Sequence, residues 1–432
     1  MKKALLVLDN PHREMRGMLA VSQRLKKYKI FSYIVSKNTF HHWYEIFNPD
    51  FVILPRATSP FTTFIKKNHF NTKIIIIPIE HGSGVEEKVL THNFGQNFCS
   101  HQKIDSAIQL DSLILVSGDN KKKWISRACP SLSEKIKVIG TLSSDHWFKK
   151  KKKNKKAKKV GICTTFKSIF FTSNFNSSFE ILYDHLSKDY VANRWRLNFQ
   201  NYEMYYLSFL HEAIDELTNS GFKVEIRPHP HENWDDWLRW KNSAKNKKLI
   251  SLNRDLDITS WIDSLNVCIT SFSSTTFDCI SRNVPTISLD ELIKSKINDL
   301  PKNKTPLTGK FSWRPRSIKE MKDLINSACN EELIVSPELK LAEAFMKDNF
   351  FWPRVKSSAT LCVEQILELN NLEIRTKKRS FMSFIKIPLI LLKIFYRDIK
   401  DYFFHPRKSN LLFIFSFYMW YSAYKFNKDI ES

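Results

Sequence analysis

Cysteine is scarce and lacks pairing patterns: seven in 432 residues, an odd number without any CxxC. This argues against a disulfide framework or a zinc site and fits a reducing cytosol. No secretory leader is legible either. "MKKALLVLDNPHR" begins with charge as a leader does, but its apolar run ends at Asp9, too short for a signal-peptide core. It reads as a first buried strand. A long apolar run is also missing, because the stretch from Leu411 to Tyr424 is shorter than the ~20 residues a membrane-spanning helix needs.

What is present is a globular composition, 42% hydrophobic and 13% aromatic, over a length that favours two domains and a remainder. The formal charge is +24, which on its own suits a polyanionic partner, a membrane or a nucleic acid. Lys, Asn, Ile and Phe are abundant together, however, as a coding bias produces, so the position of the cations weighs more than their total. They cluster in "FKKKKKNKKAKK", Phe148 to Lys159, and again near the C-terminus.

Short apolar runs rich in Val and Ile recur along the first third: Lys3 to Val7, "DFVILP" at Asp50, "KIIIIPIEHGSG" at Lys73, "SLILVSG" and "KIKVIGT". Separated by helical patterns such as "MLAVSQRLKKY", they predict parallel strands buried on both faces. This is one doubly wound α/β domain over 1–148. The lysine run 149–159 predicts a solvated linker. The alternation then restarts: "KVGICTTF" as a strand, "YEMYYLSFLHEAIDELTNSG" as a long helix ended by Gly221, and "FKVEIRP" as a strand stopped by proline. "DITSWIDSL", "NVCITS", "STTFDCISRN" and "VPTISL" follow as helix, strand, helix and strand. The expected architecture is therefore two Rossmann-like domains, the second over 160–330, facing a cleft at the carboxyl ends of both sheets. Helices over 331–372 are expected to pack back on the body. The last segment, 373–432, mixes Phe, Tyr, Leu and Ile with Lys386, Lys393, Arg397, Lys400, Arg407 and Lys408, the pattern of an in-plane anchor on an anionic membrane.

Three loops that follow strands carry the candidate chemistry. In "RPHPHENW", Pro228 and Pro230 hold the backbone extended past a strand end. Arg227, His229 and Glu232 sit there, and an oriented imidazole beside a guanidinium suits a phosphate or carboxylate. In "CITSFSSTTFDCI", a strand gives way to a helix start bearing Ser273, Ser274, Thr275 and Thr276, four hydroxyl residues where capping needs one. In "IIIIPIEHGSG", Glu80 and His81 follow a strand at a glycine-freed turn, and either could deprotonate an acceptor hydroxyl. The DxD of Asp255 and Asp257 is better read as a helix cap than as a metal site, and no metal or cofactor is expected.

Taken in order, "LVLDNPHREMRG", "EHGSG", "KIKVIGTLSSD", "RPHPHENW" and "WIDSLNVCITSFSSTTFDCISRNVPTISLD" resemble the bacterial surface carbohydrate biosynthesis proteins. These are GT-B-like chains similar to capsule Kdo transferases, polysialyltransferases and the glycerophosphotransferases of teichoic acid synthesis. The resemblance spans about residues 1–330 and leaves out the lysine run and the aromatic tail. It implies that His229 and Arg227, with Ser274 and Thr275, hold the phosphate of a nucleotide-activated sugar, and that Glu80 or His81 faces the acceptor. Relatives often carry Glu-Gly-Gly where this chain has "PIEHGSG". The resulting expectation is a metal-independent glycosyltransferase of capsule or lipopolysaccharide synthesis, cytoplasmic and peripheral on the inner membrane face, acting on a glycan or lipid-linked acceptor and not on nucleic acid. A CDP-linked glycerophosphotransferase, a nucleotide-sugar epimerase and a noncatalytic glycan-assembly protein are the rivals.

Overall fold

The computed structural model describes residues 2–8, 11–55, 64–65, 72–77, 113–128, 130–148, 158–166, 190–229, 232–255, 258–270, 273–294 and 307–370. Glu80, His81, Asp257, most of the lysine run and the segment from 371 lie outside them. Contacts divide the chain into two compact units, the first holding the described residues up to 143 together with those from 354, the second the described residues of 144–353.

The first unit runs β1 (Lys3–Leu8), α1 (Pro11–Lys27), β2 (Phe31–Ser36), α2 (Phe40–Phe47), β3 (Phe51–Leu54), β4 (Lys73–Ile76), β5 (Leu113–Val116), α3 (Asp119–Ala128) and β6 (Ile136–Val138). Its strands lie in the order β2-β1-β3-β4-β5-β6, and every pairing is parallel. β3, β4 and β5 are buried at every position. That is why their sequences are apolar apart from Lys73 at the start of β4: each strand has a covered layer on both faces. β2, at the edge, keeps Phe31 and Tyr33 exposed.

The second unit runs β7 (Lys159–Cys163), α4 (Tyr190–Asn219), β8 (Lys223–Arg227), α5 (Trp234–Ser243), β9 (Ile250–Leu252), α6 (Ile258–Asp263), β10 (Val267–Thr270), α7 (Thr275–Ser281) and β11 (Thr286–Ile287). α8 (Asp290–Lys294), α9 (Leu307–Lys310), α10 (Ile318–Cys329) and α11 (Leu339–Phe350) follow. The sheet order is β11-β10-β7-β8-β9, again all parallel. α4 stops where Gly221 takes φ +80 and Phe222 N–H returns to the Leu217 carbonyl at 3.0 Å, a glycine-dependent C-cap. Val160, Ile162, Leu210, Ile214, Val224, Ile226, Ile269 and Met321 belong to one core.

The fold class is thus the expected one, two parallel sheets each flanked by helices. Two details add to the pattern read along the chain. Trp147 packs with Phe277 and Phe350 in the second unit, and its indole donates to Asp278 at 2.6 Å. The last described helix, α12 (Ser358–Asn370), buries Ala359, Cys362, Val363 and Ile366 in the core of the first unit. Arg24 on α1 secures it by donating to Thr360 and Ser357 at 3.0 and 3.2 Å. Among the described residues no helix is long and apolar enough to cross a membrane.

Candidate functional site

In the second unit the parallel register aligns the ends of three adjacent strands. Cys163 is paired with Arg227 on one side and with Thr270 on the other. Arg227 closes β8, Cys163 closes β7 and Thr270 closes β10, so one row crosses the carboxyl edge of the sheet. The His229 segment leaves one end of this row and the serine-threonine segment leaves the other. With one strand between them, β8 and β10 stand about 10 Å apart.

Arg227 is held rather than loose. Its Nη1 donates to Asn253 Oδ1 at 2.5 Å, its Nη2 donates to the Asp255 carbonyl at 2.5 Å, and its guanidinium lies 5.7 Å from the centre of the Trp261 ring. A planar cation fixed at two donors and backed by an indole is preorganised for an anion. Asp255 thus contributes its backbone carbonyl to Arg227, while Asp255 N–H and the Asn253 side chain make a local turn at 3.1 Å. His229 follows Pro228 half-buried, and its carbonyl accepts from Glu232 N–H at 2.8 Å, closing a tight turn before α5. Asn233 caps that helix, its side chain accepting from Asp235 N–H at 3.0 Å.

Glu232 points inward. Its Oε2 accepts from the Thr164 hydroxyl at 2.7 Å and from the Trp237 indole at 2.8 Å, and its Oε1 accepts from Phe166 N–H at 2.9 Å. Burial pushes the carboxyl up to about 7 against the pull of these donors. Both oxygens are engaged within the protein, so Glu232 fastens the His229 turn to the end of β7. Thr164 N–H adds a 3.3 Å bond to the Arg227 carbonyl.

At the other end of the row, Ser274 is exposed and Ser273 half-buried, while Thr275 and Thr276 are buried. Ser273 Oγ accepts from Thr275 N–H at 3.2 Å and donates to Thr275 Oγ1 at 2.9 Å. Thr276 is 0% exposed, and its hydroxyl has no partner among the described residues. Of the four expected hydroxyls, Ser273 and Ser274 reach solvent, and the two threonines face the packing. Ser274 makes no side-chain cap bond, which leaves its hydroxyl free of that duty. Cys163 joins the two ends: its Sγ lies 3.4 Å from Thr275 Oγ1 and 3.8 Å from Ser273 Oγ. Burial, with Cys268 beside it, pushes the thiol up to about 11, so it stays neutral and is no nucleophile at ordinary pH.

Two contacts fix the helix that carries these serines. Arg282 forks onto both oxygens of Asp263 at 2.8 and 2.6 Å, tying the end of α7 to α6. Asp278 holds the Trp147 indole and stands 3.0 Å from His146 Nε2. Sequence reasoning missed Thr164, Phe166, Trp237 and Asn253. "CTTF" directly after a strand was the available signal, since loops in that position line the same edge.

No protein-family profile matches the chain, and no curated protein matches it. Solved structures do. Two structures of the wall teichoic acid polymerase TagF superpose with TM-scores of 0.51 and 0.50, each at 12% identity over 86% of this chain and 90% of the other. S. aureus MnaA in complex with UDP gives 0.48 at 12% identity, over 88% of this chain and 100% of that one. At such identity the likeness to TagF is one of fold.

Proposed function

We propose that the chain is a glycosyltransferase of bacterial surface-glycan synthesis, taking a sugar from a nucleotide-activated donor to a glycan or lipid-linked acceptor. The observation that carries this reading is the cross-strand row Arg227, Cys163, Thr270, which sets an anchored guanidinium and an oriented histidine two strands from a pair of solvent-reaching serines. Arg227 and His229 neutralise the phosphate of the departing nucleotide, and Ser274 donates to its oxygens, joined by Ser273 when its hydroxyl turns from Thr275 to the ligand. Charge held ready where charge develops is often the largest catalytic contribution. Glu232 acts by fixing the turn that presents His229. Glu80 or His81 takes the acceptor proton. That a wall teichoic acid polymerase has the same fold supports a substrate among surface polymers.

The test is nucleotide release by the purified chain with UDP-, GDP-, CMP- and CDP-linked donors and a lipid-linked acceptor. Turnover of a sugar donor is expected, falling about 100- to 1,000-fold in His229→Ala. Turnover of CDP-glycerol alone would replace the sugar donor with a glycerophosphate one. Full activity in His229→Ala would remove the site.

A further inference from the structure

Outside the candidate site, three exposed aromatic side chains gather at β2 of the first unit and the turn before it. Tyr28, Phe31 and Tyr33 are 55%, 49% and 39% exposed. Phe31 and Tyr33 lie two apart on β2 and so share a face. Phe47 and Trp43 of α2 extend it: the ring centres are 5.7 Å apart for Phe31–Phe47 and 4.8 Å for Tyr33–Trp43. Cations border the aromatics. Lys26, Lys27 and Lys29 are exposed around Tyr28, in a turn fixed by Ile30 N–H to the Leu25 carbonyl at 3.1 Å, with Lys29 at φ 57. Lys3 Nζ donates to the Phe47 carbonyl and lies 5.5 Å over its ring. Carboxylates are few here. Glu45 is one, and Asp50 is spent on Lys3 N–H at 2.8 Å.

The register shows where the last described helix ends. Phe31 pairs with Lys3, and Phe51 with Lys73, so these residues define one edge of the sheet. At that edge Lys73 Nζ donates to the Leu369 carbonyl at 2.7 Å, near the end of α12. α12, which the aromatic and basic segment from 371 follows in sequence, therefore ends at the same edge as the patch, three strands and about 14 Å from β2. That segment carries Lys386, Lys393, Arg397 and Lys400, and like charge opposes its lying on Lys26, Lys27 and Lys29.

We infer that this edge of the first unit, with Tyr28, Phe31 and Tyr33 inserted among headgroups and Lys26, Lys27 and Lys29 paired with them, docks on an anionic lipid surface. Exposed aromatics rimmed by lysines are the composition such an interface selects.

The test uses the full chain and sedimentation with vesicles of phosphatidylcholine, pure or doped with phosphatidylglycerol. K26E/K27E/K29E is expected to weaken binding to the doped vesicles on the order of 100-fold, about 1 kcal/mol for each cation, and to flatten its salt dependence. F31S/Y33S is expected to weaken it about tenfold with the salt dependence kept. These surface positions allow both variants to be compared with the parent by circular dichroism, and if one misfolds the other decides. Unaltered vesicle binding in a folded variant would assign membrane attachment wholly to the C-terminal segment and overturn the inference. A change in self-association with vesicle binding intact would make the patch a contact between copies, and would overturn it equally.

Discussion

Glutamine at position 232 changes the account's most unusual group by one atom. The carboxyl of Glu232 has an ordinary value of 4.5 and sits at about 7 when folded, because burial outweighs the hydrogen bonds donated to it. A value raised by folding means that the folded state prefers the proton. Its stabilising contribution is complete below about pH 4.5 and is lost as pH rises through about 7. At 1.36 kcal/mol per unit, the loss between about pH 5 and about pH 8 is on the order of 2–3 kcal/mol. Glutamine does not titrate. It retains one oxygen for Thr164 and Trp237 but turns an amide toward Phe166 N–H, leaving that donor unpaired at a cost of about 1–3 kcal/mol. Glu232→Gln is therefore less stable than the parent at low pH and approaches or passes it at high pH. Urea unfolding of both proteins across this range measures the difference, in which other titrating groups cancel. A stability gap that stays constant with pH would mean that Glu232 ionises normally, and the picture of a desolvated carboxylate bracing the His229 turn would fall.

Two further substitutions probe the scaffold under the site. Arg282→Ala leaves the part-buried Asp263 without its cation and should cost up to about 3 kcal/mol, read as a lowered urea midpoint; an unchanged midpoint would show that α7 does not depend on the pair. Gly161→Ala drives a methyl group into Leu265 and to 3.0 Å from Trp261, the ring behind Arg227. It should lower stability by about 1–3 kcal/mol and weaken nucleotide binding with it, and an alanine variant of parental stability would show that this packing has slack.

Much of this fold is legible in the chain because burial on both faces writes itself as short runs rich in Val and Ile, as at β3, β4 and β10. The stop at Gly221 is legible for a similarly local reason, a positive φ that favours glycine. Glu232 is not. A glutamate after two prolines in a polar stretch looks solvated, and two of its donors, Thr164 and Phe166, arrive from the segment after β7, 68 residues earlier at Thr164. The same holds for Thr275 and Thr276, since a run of hydroxyls does not say which face of a short helix each takes. α12 carries an ordinary helical pattern, and only tertiary contacts with Arg24 and α1 assign it to the first unit. The anchoring of Arg227 by Asn253 and Asp255 likewise depends on β8 and β9 being neighbours.

Whether the two ends of the Arg227–Cys163–Thr270 row grip one ligand is measured by a double-mutant cycle between His229→Ala and Ser273→Ala, read by calorimetric titration with UDP and CDP. A shared phosphate predicts losses that fail to add, with a coupling of about 1 kcal/mol or more. Losses that add within about 0.5 kcal/mol, or no nucleotide binding by the parent protein, would contradict a single anion pocket.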